Sequence, residues 1–388
     1  MTDWKPQPYL RTAEKLGISA GILQAALAAS EAVIAVHPSL PPILTLRHLS
    51  YLSNVSYSDL RRFVSREEDP YKVFRVRKRP QRNGRISFRV ICVPQYSLSD
   101  VQQWITRHVL AHGRPHSAST AFAPGAKLID AVGPHCGSRW LIKVDVRRFF
   151  ESISEISVYN VFRRLGYQPL ISFELARLCT RIAPPSWITR IQRWRRHKPL
   201  NVGRISCYTV SRLGHLPQGA STSPMLANLV MHEADVELST MAKSYGLTYT
   251  RYADDLTFST ANAQFNRAVA GSVIKNVYRV LGRFGLEPNL AKTQVVPPRA
   301  RKIVLGLLAD TDVPRLSREF KNKMRMHLHY LEREDIGPVM HAQHRGFSAV
   351  AGLRNHLLGL AAYASQIEPE YGADLKSRLM VLPWPTIY

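Results

Sequence analysis

The acidic residues are the first feature of this sequence that could do chemistry. RYADDLTFS, residues 251–259, sets Asp254 and Asp255 side by side in a run of aromatic and apolar residues. WLIKVDV, residues 140–146, carries a third acid, Asp145, at the C-terminal end of an apolar strand pattern. Carboxylates in such runs are costly unless they are paired, hydrogen-bonded or bound to a cation. Three of them converging from two strands could hold one or two Mg²⁺ ions, which take oxygen ligands and bridge substrate phosphates. A pair of such ions stabilises both the attacking and the leaving oxygen of an in-line phosphoryl displacement. Taken singly, each stretch has a plainer reading: Asp145 as a strand-end cap, and Asp254 with Asp255 as a solvated turn.

The elements that must position these acids follow from periodicity and breakers. Residues 11–36 are rich in Ala and Leu and read as one or two helices, ended by HPSLPP. TLRHLSYLSNVSYSDLRRFV, from Thr45, gives a helical pair. YKVFRVRKR and ISFRVICVP, separated by PQRNGR, predict a basic β-hairpin. SLSDVQQWITRHVLAH predicts a helix with a Ser or Asp cap. After the WLIKVDV strand come two helices, SVYNVFRRLGY and PLISFELARLCTRIA, then a basic, aromatic stretch and a strand, ISCYTVS. The loop LPQGASTSP leads into a long helix from Met225, and TYTRYADDLTFS fits a hairpin with the Asp pair near its tip. A helix from Phe265, a strand over RKIVLGLLA and a helical C-terminal region from Arg318 complete a mixed α/β pattern with helical additions at both ends.

Charge narrows the partner. Lys and Arg number 53 against 28 acidic residues, a formal charge of +25. Such an excess concentrates polyanions and favours nucleic acid. No apolar run approaches the roughly 20 residues of a spanning helix, and MTDWKPQPYL has no apolar core of a secretory signal. Cys92, Cys136, Cys179 and Cys207 form no C-x-x-C pair and read as ordinary thiols of a reducing compartment. The expectation is a cytoplasmic protein with no membrane partner.

KVDVRRFF, LPQGASTSP and YADDLTFS, in that order, resemble the ordered motifs of reverse transcriptases, and most closely those of bacterial retron-type enzymes. The resemblance runs from about Thr45 to the C-terminus. It implies an α+β right-hand polymerase with fingers, an antiparallel palm sheet and a helical thumb. The corresponding divisions are a helical N-terminal extension over 1–44, fingers over 45–140, palm over 141–312 with a fingers insertion at about 160–215, and thumb over 313–388. It further implies RNA-directed DNA synthesis with two Mg²⁺ ions, Mn²⁺ being a substitute. Asp145, Asp254 and Asp255 match the metal-binding carboxylates, Asp255 as the weaker ligand. Phe150 matches the aromatic that packs under the nucleotide sugar and rejects a 2′-hydroxyl; the plainer alternative is a core Phe beside Phe149. Gln218 matches a residue that contacts the incoming nucleotide, and Gly219 would let the backbone come close. Arg89 and Lys78 match cations that neutralise the triphosphate, with Arg77 and Arg79 as rivals to Lys78. Lys292, in NLAKT, matches a lysine near the leaving pyrophosphate.

ITRIQRWRRHKP combines Trp187 and Trp194 with Arg190, Arg193, Arg195 and Arg196, the mixture of stacking surface and charge that binds single-stranded or structured RNA; a solvated charge run is the alternative. Lys321, Lys323 and Arg325 would lie along the primer–template duplex, mostly on phosphates. The partners implied are a noncoding RNA template, the DNA product, dNTPs and, in retron-like systems of anti-phage defence, an effector or toxin protein. Two retron hallmarks are altered. The pattern NAxxH reads AVGPH, Ala131 to His135, and VTG reads VLG, Val304 to Gly306. In the family these positions are linked to recognition of the cognate RNA. That leaves open retron-type msDNA synthesis, a related defence enzyme with another template or a protein primer such as Tyr388, and a non-catalytic RNA-binding scaffold.

Overall fold

In the computed structural model, the strand Trp140–Arg147 sorts its side chains by parity. The structure describes residues 6–77, 88–182 and 213–385. Within 140–147, Ile142, Val144 and Val146 enter the main hydrophobic core, whereas Leu141 enters a second core shared with the C-terminal helices. Successive strand residues point to opposite faces, so Asp145 shares the Leu141 face.

The chain begins with two helices, α1 (Pro6–Lys15) and α2 (Ala20–Val36). Val33, Leu40 and Ile43 belong to the main core. At Gly166, where φ is +88°, the chain passes directly beneath the Ala32 backbone, too close for any side chain. The Tyr167 hydroxyl next to it donates to the Pro41 carbonyl at 3.0 Å. Helices α3 (Leu46–Ser53) and α4 (Tyr57–Ser65) follow. Thr45 caps α3 by accepting from His48 N.

The expected basic hairpin is β1 (Tyr71–Arg77) against β2 (Phe88–Pro94), antiparallel with Tyr71 opposite Pro94 and Arg77 opposite Phe88. Helix α5 spans Tyr96–His108. It lacks the expected Ser or Asp cap: the position before it is Gln95, whose side chain makes no capping bond, and Tyr96 enters with φ +47°. The tight exit from β2 starts the helix earlier than its serines suggest. A short helix, α6 (Leu128–Val132), precedes β3 (Trp140–Arg147), and α7 (Phe149–Ser152), α8 (Glu155–Arg164) and α9 (Pro169–Cys179) follow it. The ISCYTVS strand lies outside the described residues.

Helix α10 (Ser223–Ser244) leads to the hairpin of β4 (Thr248–Tyr252) and β5 (Asp255–Thr260). After α11 (Arg267–Arg283) come β6 (Glu287–Pro288) and β7 (Gln294–Val296). The sheet runs β4-β5-β3-β6, and β7 also pairs with β3; every pairing is antiparallel. Leu256 and Phe258 sit opposite Val144 and Ile142 on the main-core side.

RKIVLGLLA, expected as one strand, is a tight hairpin of β8 (Ile303–Val304) and β9 (Leu307–Leu308). Leu305 and Gly306 both take positive φ, 50° and 87°, as a two-residue hairpin turn of the primed kind requires. A third strand, β10 (Arg315–Leu316), pairs with β9. The C-terminal region is helical as expected: α12 (Arg318–Glu332), α13 (Gly337–His344), α14 (Val350–Ile367) and α15 (Pro369–Val381). No helix among the described residues is long and apolar enough to cross a membrane.

Candidate active site

Register brings the acids together. Asp145 on β3 lies directly opposite Asp255 on β5. The β4–β5 turn is Ala253–Asp254, with Ala253 at φ +56° and the Asp254 carbonyl accepting from Val146 N at 2.9 Å. All three residues therefore sit at one end of the sheet. Asp145 is held hard: Asn289 donates its backbone N–H to the Asp145 carbonyl at 2.7 Å and its side-chain amide to Oδ1 at 2.8 Å. Lys292 Nζ lies 2.6 Å from Asp145 Oδ2.

Burial, then the charges of Asp255 and Asp145, push the Asp254 carboxyl up to about 6. Burial also raises Asp255, against the opposing pull of Lys143. Burial works to lower Lys292, but its hydrogen bond to Asp145 and the surrounding carboxylates outweigh that and raise it. Mutually repelling hard oxygens are suited to a dication. The expected three-carboxylate cluster is nonetheless not ready-made: among the described residues no group of three His, Cys, Asp or Glu side chains is placed to hold a metal. Asn289 and Lys292 engage both Asp145 oxygens. The donor set fits Mg²⁺ by chemistry, and an ammonium is already drawn to it.

Beside the acids lies a cavity of about 420 Å³ lined by Arg89, Phe150, Gln218, Asp254 and Lys292 among others. Five residues singled out in separate sequence motifs thus face one space. A larger cavity of about 630 Å³ lies between α12, α13 and α15, remote in sequence from these groups and lined by none of them. Chemistry, not volume, selects the site.

Phe150, packed against the main core, is less buried than its neighbour Phe149. Phe149 is buried in the core and Phe150 lines the cavity, their rings 5.5 Å apart edge to face. Gly219 has φ +122°, and a Cβ there would stand 2.9 Å from the Cys92 carbonyl oxygen. The Cys92 N–H donates to the Gln218 carbonyl at 2.7 Å, fastening the β2 strand to the glutamine loop.

Lys321 pairs with Glu368 at 2.5 Å and lies over the Tyr371 ring, so it braces α12 against the α14–α15 junction. Lys323 is exposed two positions on, which on a helix is nearly the opposite side, and Arg325 donates to Asn322 at 2.6 Å. Lys321 and Arg325, four positions apart, share one face of the helix, and Lys323 does not. His135 is fully buried, with Nδ1 2.7 Å from Ser259 Oγ and Nε2 2.7 Å from Thr250 Oγ1; it ties β4 to β5 rather than facing an RNA. Lys78, Trp187, Arg190, Arg193, Trp194, Arg195, Arg196 and Tyr388 lie outside the described residues. Sequence reasoning missed Asn289, although NLAKT had drawn attention, and also missed Phe122, Arg148 and Glu151, which line the cavity. Phe122 and Arg148 hold φ of +64° and +49°, conformations no residue pattern advertises.

Residues 76–308 match the family model described as reverse transcriptase (RNA-dependent DNA polymerase). The chain belongs to the reverse transcriptase family. This reverse transcriptase is 28% identical to the retron Ec86 reverse transcriptase of Escherichia coli over 86% of its own length and 93% of that protein's. It is 30% identical to the retron Mx162 reverse transcriptase of Myxococcus xanthus, over 78% of its own length and 59% of the relative's. Telomerase from Candida albicans, solved with a fragment of telomeric RNA, superimposes at a TM-score of 0.41 with 12% identity, over 82% of this chain and 56% of that one. The enzyme is an RNA-directed DNA polymerase of the retron type.

Proposed function

We propose that this reverse transcriptase copies a cognate noncoding RNA into DNA by nucleotidyl transfer assisted by two metal ions, within a retron-like system of anti-phage defence. The observation that carries the chemical part is the register setting Asp145 opposite Asp255, with Asp254 at the turn beside a cavity shared by Arg89, Phe150, Gln218 and Lys292. Asp145, Asp254 and Asp255 would hold Mg²⁺ or Mn²⁺, Asp145 after Lys292 releases Oδ2. When bound, the ions lower the barrier by balancing charge on the attacking and leaving oxygens. The chain's own groups do the rest. Arg89 and Lys292 face the cavity as cations suited to a triphosphate, and Lys292 is placed to balance the charge of the departing pyrophosphate. Phe150 presents a rigid ring that leaves no room for a 2′-hydroxyl. A primer 3′-hydroxyl or an RNA 2′-hydroxyl attacks the α-phosphorus, and the bond to pyrophosphate breaks.

In this reading the β1–β2 hairpin with the helices before it forms the fingers, the five-stranded sheet the palm and α12–α15 the thumb. Residues 1–44 are an extension, 45–140 fingers, 141–312 palm with its insertion at about 160–215, and 313–388 thumb. The net charge of +25 supports an RNA template and its DNA product as the macromolecular partners.

The test is primer extension on an RNA template with dNTPs and Mg²⁺, comparing the native enzyme with Asp254→Asn plus Asp255→Asn. The double variant is expected to fold and bind RNA but incorporate nothing. An equally active variant would sink the metal assignment. Sequencing the nucleic acid that co-purifies with the enzyme from its host tests the template: a branched RNA–DNA supports the retron assignment, and unlinked DNA opposes it.

A further inference from the structure

Behind the catalytic turn lies an ion pair sealed from water. Arg251 on β4 and Asp235 on α10 are both fully buried. Arg251 Nε donates to Asp235 Oδ1 at 2.8 Å and Nη2 to Oδ2 at 2.6 Å. The Tyr249 hydroxyl donates to Asp235 Oδ1 at 2.8 Å. Burying such a pair is a poor route to stability, because apolar side chains of similar volume commonly do as well or better. What a guanidinium offers instead is several donors in a fixed plane.

The remaining donor, Nη1, points toward the site. It reaches the Ala253 carbonyl at 3.1 Å and Asn228 Oδ1 at 3.2 Å. Ala253 is the residue with φ +56° immediately before Asp254. Asn228 in turn donates its amide to the Ala121 carbonyl at 2.6 Å. The main chain of Arg251 holds the same segment: its N–H donates to the Ala118 carbonyl at 2.7 Å, and its carbonyl accepts from Thr120 N at 2.9 Å. The residue after Ala121 is Phe122, also at positive φ, whose ring stands 6.3 Å from Phe150 and 6.4 Å from Tyr252 and lines the nucleotide cavity.

We propose that Arg251, clamped by Asp235, is a positioning residue for nucleotide transfer: through the Ala253 carbonyl it aims Asp254, and through Asn228 it sets Phe122 against Phe150 in the nucleotide cavity. Both strained residues, Ala253 and Phe122, sit on loops that this one buried side chain and its partner asparagine tie down. Strained backbone persists only where its surroundings over-determine it. The proposal rests on Asp254 being a metal-binding carboxylate.

Arg251→Lys keeps a cation against Asp235 but cannot also reach Ala253 and Asn228. Asn228→Ala cuts the link to Ala121 and leaves the Arg251–Asp235 pair. For each variant, thermal unfolding, Mn²⁺ binding followed by electron paramagnetic resonance, and kcat and KM for dNTP and rNTP are measured on the full chain. Arg251→Lys is expected to fold, to bind Mn²⁺ more weakly and to lose about 10²-fold in kcat, the scale of a misplacement near 1 Å. Asn228→Ala is expected to raise KM for dNTP several-fold and to narrow the preference for dNTP over rNTP, with a smaller effect on kcat. If activity falls only in proportion to the folded fraction, with no split between the variants, the residues are structural and the proposal fails. Should Arg251→Lys not fold, Asn228→Ala decides alone: native KM and native sugar preference overturn the proposal. Asp254→Asn separates the two readings. If it keeps Mn²⁺ affinity and rate, the metal assignment is wrong; if it loses both while Arg251→Lys keeps them, only the positioning role is wrong.

Discussion

Lys292 Nζ stands 2.6 Å from Asp145 Oδ2, so a side chain from the turn after β6 serves as counter-ion to the acid at the end of β3. The same turn supplies Asn289 to the other Asp145 oxygen. A cation that must leave an oxygen before a metal can take it competes with that metal. Replacing Lys292 by Met keeps the stem and removes the charge. Lys292→Met is expected to bind Mn²⁺ a few-fold more tightly without nucleotide, yet to lower kcat by about 10²-fold through loss of the cation at the departing pyrophosphate. Mn²⁺ titration and single-turnover extension check the two halves separately.

Phe149 is buried in the main core and Phe150, packed against it, is partly exposed to the cavity, so their truncations should diverge. Phe150→Ala opens the cavity and is expected to reduce the preference for dNTP over rNTP by about 10-fold or more, with a smaller loss of stability than at position 149 because Phe150 is only partly buried against the core. Phe149→Ala empties a core position and is expected to cost about 3 kcal/mol or more in unfolding free energy. Paired rNTP and dNTP incorporation, alongside denaturant melts, measures both.

A methyl group at position 219 would meet the Cys92 carbonyl at 2.9 Å and Ile91 Cγ2 at 3.0 Å, on a backbone at φ +122°. Gly219→Ala is therefore expected to loosen the joint between β2 and the Gln218 loop, with strain of about 1–3 kcal/mol. The kinetic sign would be a raised KM for dNTP. An unchanged KM in a folded variant would show that the joint is not needed for nucleotide binding.

His135 gives the fold an acid sensitivity. Burial lowers its pKa from 6.5 to about 4, so the ring is neutral in the folded chain at pH values where the unfolded chain takes up a proton. Unfolding then gains a proton between about pH 6.5 and pH 4. The stability tied to the neutral ring is fully present above 6.5 and is lost as pH falls through that window, by up to about 1.4 kcal/mol per pH unit. A variant such as His135→Gln should be less stable at neutral pH and should show a flatter fall in unfolding free energy from pH 6.5 to 5. A slope equal to that of the native chain would contradict this account.

The segments that meet at the candidate site are legible in the sequence because their signals are local. Asp145 announces itself as one acid in an apolar strand, the YADD hairpin as aromatic alternation around two acids, and the glutamine loop by its Gly and Pro. What failed to show was set either by backbone sign or by long-range contact. RKIVLGLLA hides a turn inside an unbroken apolar run, because nothing in the run marks Leu305 as a residue with positive φ. Asn289 reaches Asp145 across 144 positions of chain, and Asn228 reaches Ala121 across 107. Lys321 has the composition of a phosphate contact, but Glu368, 47 residues on, claims its charge. His135 matched the family spacing, and only its burial between Thr250 and Ser259 assigns its hydrogen bonds.

The passage of Gly166 beneath Ala32, with Tyr167 bonded to Pro41, bears on how this polymerase can be shortened. The end of α2 and the segment that follows it form a wall of the main interior, and Val33, Leu40 and Ile43 are bricks in it. A recombinant chain started at Thr45 would leave Tyr167 and its neighbours facing water, so a boundary drawn where family likeness begins would cut through the enzyme's own foundation.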